Sequence, residues 1–402
     1  MGVLVLHKCS ALTAIAVLFW FAAVSQAYAF AFKIHEKHVG PWPESVVKGD
    51  FNNDGKLDLA VIDGCANKNC DTHSAVKVLL GNGDGTFTSA GKSRSSQDGE
   101  NSEVIAAGDF NHDGNLDVAV TNIGINVFGD VSVLLGNGDG TFGPPTPYEV
   151  GGSTPVAVAV GDFNGDGNPD LAVVVTTTDS AAILLSNGDG TFQPAVNYSV
   201  EGSPQGLAIA DLNFDGIPDL AVANECGHID GCRNGTVSIL LGNGDGTFQT
   251  QQSFFVGIFP LAVEAADFNH DGNPDLVLTL PCGTDTTCVT NGGVGILFGK
   301  GDGSFGEVRT YVGTGLDTVR LGVGDFNGDG NPDVVALNYQ DGTITVFPGK
   351  PDGRLKAGVP FTVGINPLSV TVADFNGDGG TDMAVANQLS DTLSVFLNKR
   401  GS

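Results

Sequence analysis

One nine-residue pattern recurs seven times along the 402-residue chain. At 325–333 it reads D-F-N-G-D-G-N-P-D, and it returns at 50–58, 109–117, 162–170, 211–219, 267–275 and 374–382. In every copy the first, fifth and ninth residues are Asp, the third is Asn and the sixth is Gly. Successive copies start 49 to 59 residues apart. A repeat on that scale is one supersecondary unit that buries its apolar face only against its neighbours. Length alone would suggest two or three domains, but repeated units imply a single architecture.

The residue types in the pattern point to calcium. A hard dication takes six to eight oxygens from carboxylates, amides, peptide carbonyls and water, and alternate positions of a tight loop can aim such oxygens at one centre. Asp, Asn and Gly also make ordinary turns, yet a turn needs no three carboxylates held together. The loop is not an EF-hand, which requires Glu at position twelve and flanking helices. Position twelve here is Val61, Val120, Val173, Val222, Leu278, Ala336 or Val385. Each loop runs instead into a short β-branched apolar segment, the mark of a strand.

Around each loop the chain predicts four short strands. In the first unit these are 45–51, 57–62, 75–80 and one more after the Gly-rich hairpin turn at 81–87. That turn returns at 136–142, 186–192, 242–248, 299–305 and, degraded, 349–355. Four strands per unit of about fifty residues describe a propeller blade. The seventh unit stops one strand short, while residues 30–38 form an alternating stretch in surplus. The chain is therefore expected to be an all-β, seven-bladed β-propeller of four-stranded antiparallel blades over residues 30–402, closed by the N-terminal strand completing the last blade. Glu264 and Arg320 break the apolar pattern of the inner strands and are expected to pair near the channel mouth.

Residues 1–29 read as a secretory signal peptide, with Lys8 ahead of an apolar run at 11–24 and a small-x-small site at Ala27-Tyr28-Ala29. No membrane segment is expected after its removal, which makes the chain secreted, periplasmic or attached at the cell surface. The formal charge is −28, which disfavours nucleic acid and anionic membranes as partners. Much of that charge sits in the loops. Cys9 leaves with the signal. The other six cysteines form three close pairs, Cys65 with Cys70, Cys226 with Cys232 and Cys282 with Cys288, expected to be disulfides in an exported chain. Metal binding by Cys65 and Cys70 is the alternative, with His73 as the nearby third candidate.

The loops and the L-L-G-N-G-D-G-T-F turns resemble FG-GAP and VCBS repeats, found in secreted microbial propellers and in the integrin α-subunit head. The resemblance spans residues 30–402 and implies calcium loops between the first and second strands of each blade. It further implies that side chains at positions one, three, five and nine bind the ion with the position-seven carbonyl. Carried onto this chain, the first site is Asp50, Asn52, Asp54, Lys56 and Asp58, and the second is Asp109, Asn111, Asp113, Asn115 and Asp117. The third is Asp162, Asn164, Asp166, Asn168 and Asp170, and the fourth Asp211, Asn213, Asp215, Ile217 and Asp219. The fifth is Asp267, Asn269, Asp271, Asn273 and Asp275, and the sixth Asp325, Asn327, Asp329, Asn331 and Asp333. The seventh, with Gly-Thr in place of Asn-Pro, is Asp374, Asn376, Asp378, Gly380 and Asp382.

Function is less legible, because fold does not fix it. The loops and turns are expected on one face, leaving the irregular segments 64–74, 121–130, 225–235 and 281–293 on the other, where binding usually resides. The leading expectation is a monomeric, noncatalytic binding or adhesion module for an extracellular protein or polysaccharide, with calcium structural. The alternative is a polysaccharide-active enzyme such as a lyase, drawing on His73, His228, Arg233 and Tyr339, or a lectin. An aromatic-platform lectin is disfavoured, since Trp42 is the one Trp outside the signal. His112 and His270 lie within loops and are expected to face solvent. Asn197-Tyr198-Ser199 and Asn234-Gly235-Thr236 are glycosylation sequons.

Overall fold

In the computed structural model, residues 30–64, 74–96, 101–124, 128–226, 234–282 and 291–399 are described. Seven four-stranded antiparallel sheets follow one another along the chain. In blade 1 the strands are Pro43–Gly49, Asp58–Asp63, Ala75–Gly81 and Phe87–Arg94, paired in sequence order. The inner strands of blades 2 to 7 are Asn101–Gly108, Pro155–Gly161, Pro204–Ala210, Val263–Ala266, Thr318–Gly324 and Pro367–Ala373.

Closure follows the expected route. The N-terminal strand Phe32–His38 pairs antiparallel with Thr392–Asn398, the third strand of blade 7, with Ile34 opposite Phe396. Phe32 stacks edge-on against Phe326, Phe361 and Phe396. The strand thus gives blade 7 its outer edge and ties the two ends of the chain together. Among the described residues no helix is long and apolar enough to cross a membrane.

The core lies between the blades. One cluster joins Phe51, Ile62 and Val78 of blade 1 to Val118, Leu134 and Phe142 of blade 2. Another joins Phe375, Leu393 and Val395 of blade 7 to Leu59, Leu79 and Phe87 of blade 1. Second strands such as Asp58–Asp63 and Asp170–Val175 are buried at every residue. Both of their faces meet a neighbouring blade, and for that reason they are continuous apolar runs and not alternating ones.

The Gly or Ala preceding each loop answers to a particular crowding. A Cβ on Gly49 would sit 2.6 Å from Leu116 and 3.1 Å from the Phe51 ring, and one on Gly108 would sit 2.9 Å from the Phe110 ring. The obstruction is the loop's own Phe and the next blade. Crowding at the axis, the reason suggested by propeller geometry in general, is not what these contacts show.

Candidate metal loops and the axial channel

Each Asp loop joins the inner strand to the second strand of its blade. The sixth-position Gly takes φ between +80° and +89° in all seven copies, a region open to Gly at little cost. The first Asp accepts the fifth-position N–H on Oδ1 at 3.1–3.2 Å. Its Oδ2 accepts the sixth-position N–H at 2.7–3.0 Å. The third-position Asn oxygen accepts that same fifth N–H, and the fifth Asp accepts the N–H of position seven. The side chains of positions one, three and five therefore fold inward over one turn of backbone.

The ninth Asp does something the sequence did not show. Its Oδ2 accepts the N–H of the second loop residue, as in Asp58 with Phe51 at 2.9 Å and Asp170 with Phe163 at 2.9 Å. Its Oδ1 accepts an N–H from the end of the third strand: Gly81, Gly136, Ser186, Gly242, Gly299, Gly349 or Asn398. This Asp is fully buried in every blade and staples the loop to the end of the third strand, which in blades 1 to 6 leads into the Gly-rich turn. Loops and turns thus share one face. The turn's own Asp is spoken for: Asp84, Asp139, Asp189 and Asp245 each accept the N–H and hydroxyl of the Thr two residues on.

Like charges accumulate here. Burial raises Asp117, Asp170, Asp219, Asp275 and Asp382 to about 6 and Asp333 to about 7, against the pull of the two backbone N–H groups. The fifth and first Asp of the same loop add to the rise, as they do at Asp58. Lys56 lies 3.2 Å from Asp54, and Lys356 lies 3.8 Å from Asp329. Among the described residues no three carboxylate, imidazole or thiol groups converge as a ready-made metal cage. The set is a mixed one of carboxylates, an amide oxygen and peptide carbonyls. Oxygen-only donors with excess negative charge fit a hard dication of the calcium kind.

His112 and His270 are exposed, as expected, yet each also reaches the next blade. His112 Nε2 lies 2.7 Å from Asn168 Oδ1 and His270 Nε2 lies 3.2 Å from Asn331 Oδ1, each in the next blade. Asn53 makes the same reach, donating from Nδ2 to Asn115 Oδ1 at 2.7 Å. The fourth residue of one loop is thus bonded to the seventh of the next. Alongside it, the turn N–H of Gly140, Gly190, Gly246 or Gly303 donates to the second-position carbonyl of the preceding blade's loop, at 2.9–3.0 Å. The turn Phe also packs edge-on against the preceding loop's Phe, as in Phe142 on Phe51, Phe192 on Phe110 and Phe87 on Phe375.

The far end of the axial channel forms a cavity of about 260 Å³, lined by the first halves of the inner strands. Glu44, Glu103, Gln205, Glu264 and Arg320 face into it. The expected pairing of Glu264 with Arg320 does not occur: no ion pair joins them among the described residues. Arg320 couples electrostatically to Glu103, and Glu264 to Lys48. The reason is placement, because Arg320 lies four residues before the loop end of its strand, at Gly324, and Glu264 only two before that of its own, at Ala266. Desolvation within the channel raises Glu264 to about 7, with Lys48 opposing, although its side chain remains open to the channel. Burial likewise raises Glu44 to about 7, where Gln388 Nε2 donates to it at 2.9 Å and Glu103 adds repulsion.

Of the residues considered for catalysis, His73, His228 and Arg233 lie outside the described residues. Tyr339 is held by its N–H to Asp317 O at 2.9 Å. Cys65, Cys70, Cys232 and Cys288 and residues 1–29, expected to be a signal peptide, also lie outside them, whereas Cys226 and Cys282 are buried. Glu44, Glu103 and Lys48 escaped sequence reasoning. Their signal was a charge within an inner strand, the same one that singled out Glu264 and Arg320.

Ring, loops and stitched turns define a seven-bladed β-propeller with an Asp-rich loop in every blade. The FG-GAP-like repeat family matches residues 50–120, 123–173, 172–222, 229–278, 284–336 and 325–385, stretches that take in all seven loops. The chain belongs to the FG-GAP-like repeat family. A search among curated proteins returned no match. Among solved structures the chain is similar to the BBS1 N-terminal domain crystallised in complex with ARL6, after mercury or lead soaking. The TM-scores are 0.61 and 0.59 at 12% identity, covering 92% of this chain and 98% or 97% of that one. It is also similar to the periplasmic gluconolactonase PpgL of Pseudomonas aeruginosa, with TM-score 0.54, 17% identity and coverage of 81% and 86%. At these identities the likeness is one of fold.

Proposed function

We propose that this protein is an exported, noncatalytic binding propeller whose seven Asp loops hold calcium as structural cement. The observation that carries the reading is the sevenfold loop itself. Two carboxylates and an amide oxygen fold over one turn of backbone, and a third carboxylate, the buried ninth Asp, is raised by burial and further by the first and fifth Asp. In each loop the residues at positions one, three, five, seven and nine would hold the ion, which supplies the positive charge that three clustered carboxylates lack. Calcium would then fix a face already stitched blade to blade, leaving the opposite face for ligand. The exposed Phe128, at 66% accessibility, and Trp42 sit on connections of that opposite face. The three Cys pairs are read as disulfides that pre-organise its loops, which lowers the ordering cost of binding. One fold neighbour, the BBS1 domain, was crystallised with a protein partner, ARL6.

The test uses calcium-loaded protein against a panel of extracellular polysaccharides and matrix proteins, scoring both retention and new chain ends. Retention without cleavage supports the reading. New unsaturated or reducing ends would overturn it in favour of an enzyme.

A further inference from the structure

The axial cavity holds charges of both signs that do not satisfy one another. Arg320 is half-buried in the wall of this cavity, and its one described hydrogen bond runs from Nη1 to the carbonyl of its neighbour Val319 at 3.2 Å. A guanidinium has five N–H donors in a planar fork, so most of its capacity is unspent. On blade 2, Glu103 faces the same cavity and makes no described hydrogen bond or ion pair. The two groups nonetheless act on each other's ionisation. Both line the cavity from blades 6 and 2, and no described ion pair joins them. Glu44 of blade 1 starts its strand at the same level as Glu103 and is coupled to it. Drawing charges partly out of water without an ion-pair partner is costly, and a cavity where the cation Arg320 faces Glu103, with Glu44 held by Gln388 beside it, is complementary to a ligand bearing both opposite charges.

We propose that this cavity binds a free α-amino acid or a zwitterion of that size, its carboxylate on Arg320 and its ammonium on Glu103 and Glu44. A simple anion would meet the two glutamates. A simple amine would leave Arg320 uncompensated. At about 260 Å³ the space lies below the ~300–1,000 Å³ typical of drug-sized ligands, which suits a molecule of amino-acid size. Glu264, deeper in the channel beside Lys48, lines the space left for the side chain. The site lies at the opposite end of the inner strands from the Asp loops and stands whether or not those loops bind calcium.

The experiment is titration calorimetry and thermal shift on the whole chain at pH 8 with the twenty common amino acids. Each binder is compared with its N-acetyl derivative, its 2-hydroxy acid counterpart and its decarboxylated amine. The expected result is 1:1 binding of one or a few free amino acids and none of the three analogues. R320Q should weaken binding about 100-fold or more, as loss of a charge-assisted fork does, and E103Q about 10-fold or more. R320K keeps the charge without the fork and guards against a folding artefact: it should melt like the parent and bind weakly. Absence of binding by every amino acid, equal binding of the N-acetyl or hydroxy analogue, or undiminished binding by a folded R320Q would overturn the proposal.

Discussion

The imidazole of His112, in the loop of blade 2, donates from Nε2 to Asn168 Oδ1 of blade 3 across 2.7 Å. Its backbone sits at φ +57°, the left-handed region. Gly165, Gly328 and Gly377 hold the same loop position in blades 3, 6 and 7. His112→Gly therefore removes the inter-blade bond without backbone strain. It should cost about 0.5–1.5 kcal/mol, read as a small fall in the denaturant midpoint. His112→Val loses the bond and forces a β-branched residue to positive φ, and should cost more. Equal losses for the two variants would show that φ is not what selects this residue.

The ninth Asp tests the staple apart from the metal. Asp170 is fully buried and accepts N–H groups from Phe163 at 2.9 Å and Ser186 at 2.7 Å. Asp170→Asn turns one acceptor into a donor facing a backbone N–H. Leaving that N–H unsatisfied should destabilise by about 1–3 kcal/mol, and the loss should persist in chelator. A variant that differs from the parent only when calcium is present would assign Asp170 to the ion alone.

Removing residues 30–38 deprives blade 7 of its outer strand and breaks the closure of the ring. The truncated chain should melt far below the intact one. Phe32→Ala, which empties the space against Phe326, Phe361 and Phe396, should cost about 2–3 kcal/mol. That is below the ~3–5 kcal/mol of a fully buried Phe, because Phe32 is only half-buried. An unchanged melting curve for the truncation would mean that the ring holds without its seam.

Chelator should lower the melting temperature, and calcium should restore it. Magnesium should not, since it demands tighter octahedral geometry. Each site at 100 times its dissociation constant contributes about 2.7 kcal/mol. Melting curves that coincide in chelator and in calcium, with no metal detected in the protein, would remove calcium from the account.

Channel glutamates make stability depend on pH. Desolvation within the channel raises the half-buried Glu44 and the channel-exposed Glu264 to about 7 from an ordinary value of 4.5. Between those values the folded state holds protons that the unfolded state has released, so stability falls as pH rises from about 4.5 through 7. Glu103, Arg320 and Lys48 face the same channel and modulate the effect. The ninth Asp residues, raised to about 6 or 7, contribute in the same direction, so the double variant Glu44→Gln, Glu264→Gln should make this part of the profile shallower without abolishing it in denaturant titrations from pH 4.5 to 8. A profile unaltered by the two substitutions would place the titration elsewhere.

The sequence by itself determined the blade count, the strand order, the closure by the N-terminal strand and the placement of loops and turns on one face. All of these follow from local period and repeat: Asp, Asn and Gly at fixed offsets, then apolar β-branched runs, seven times over. The tertiary structure alone decided what each repeated residue touches across a blade boundary. The ninth Asp binds two backbone N–H groups, one of them from the turn that follows the third strand. His112 and His270 reach the next blade, and Arg320 answers to Glu103, not Glu264. The physical reason is that a repeat fixes the conformation of each unit, whereas partners fifty or more residues away are set by how blades pack and how deep each side chain lies in the channel.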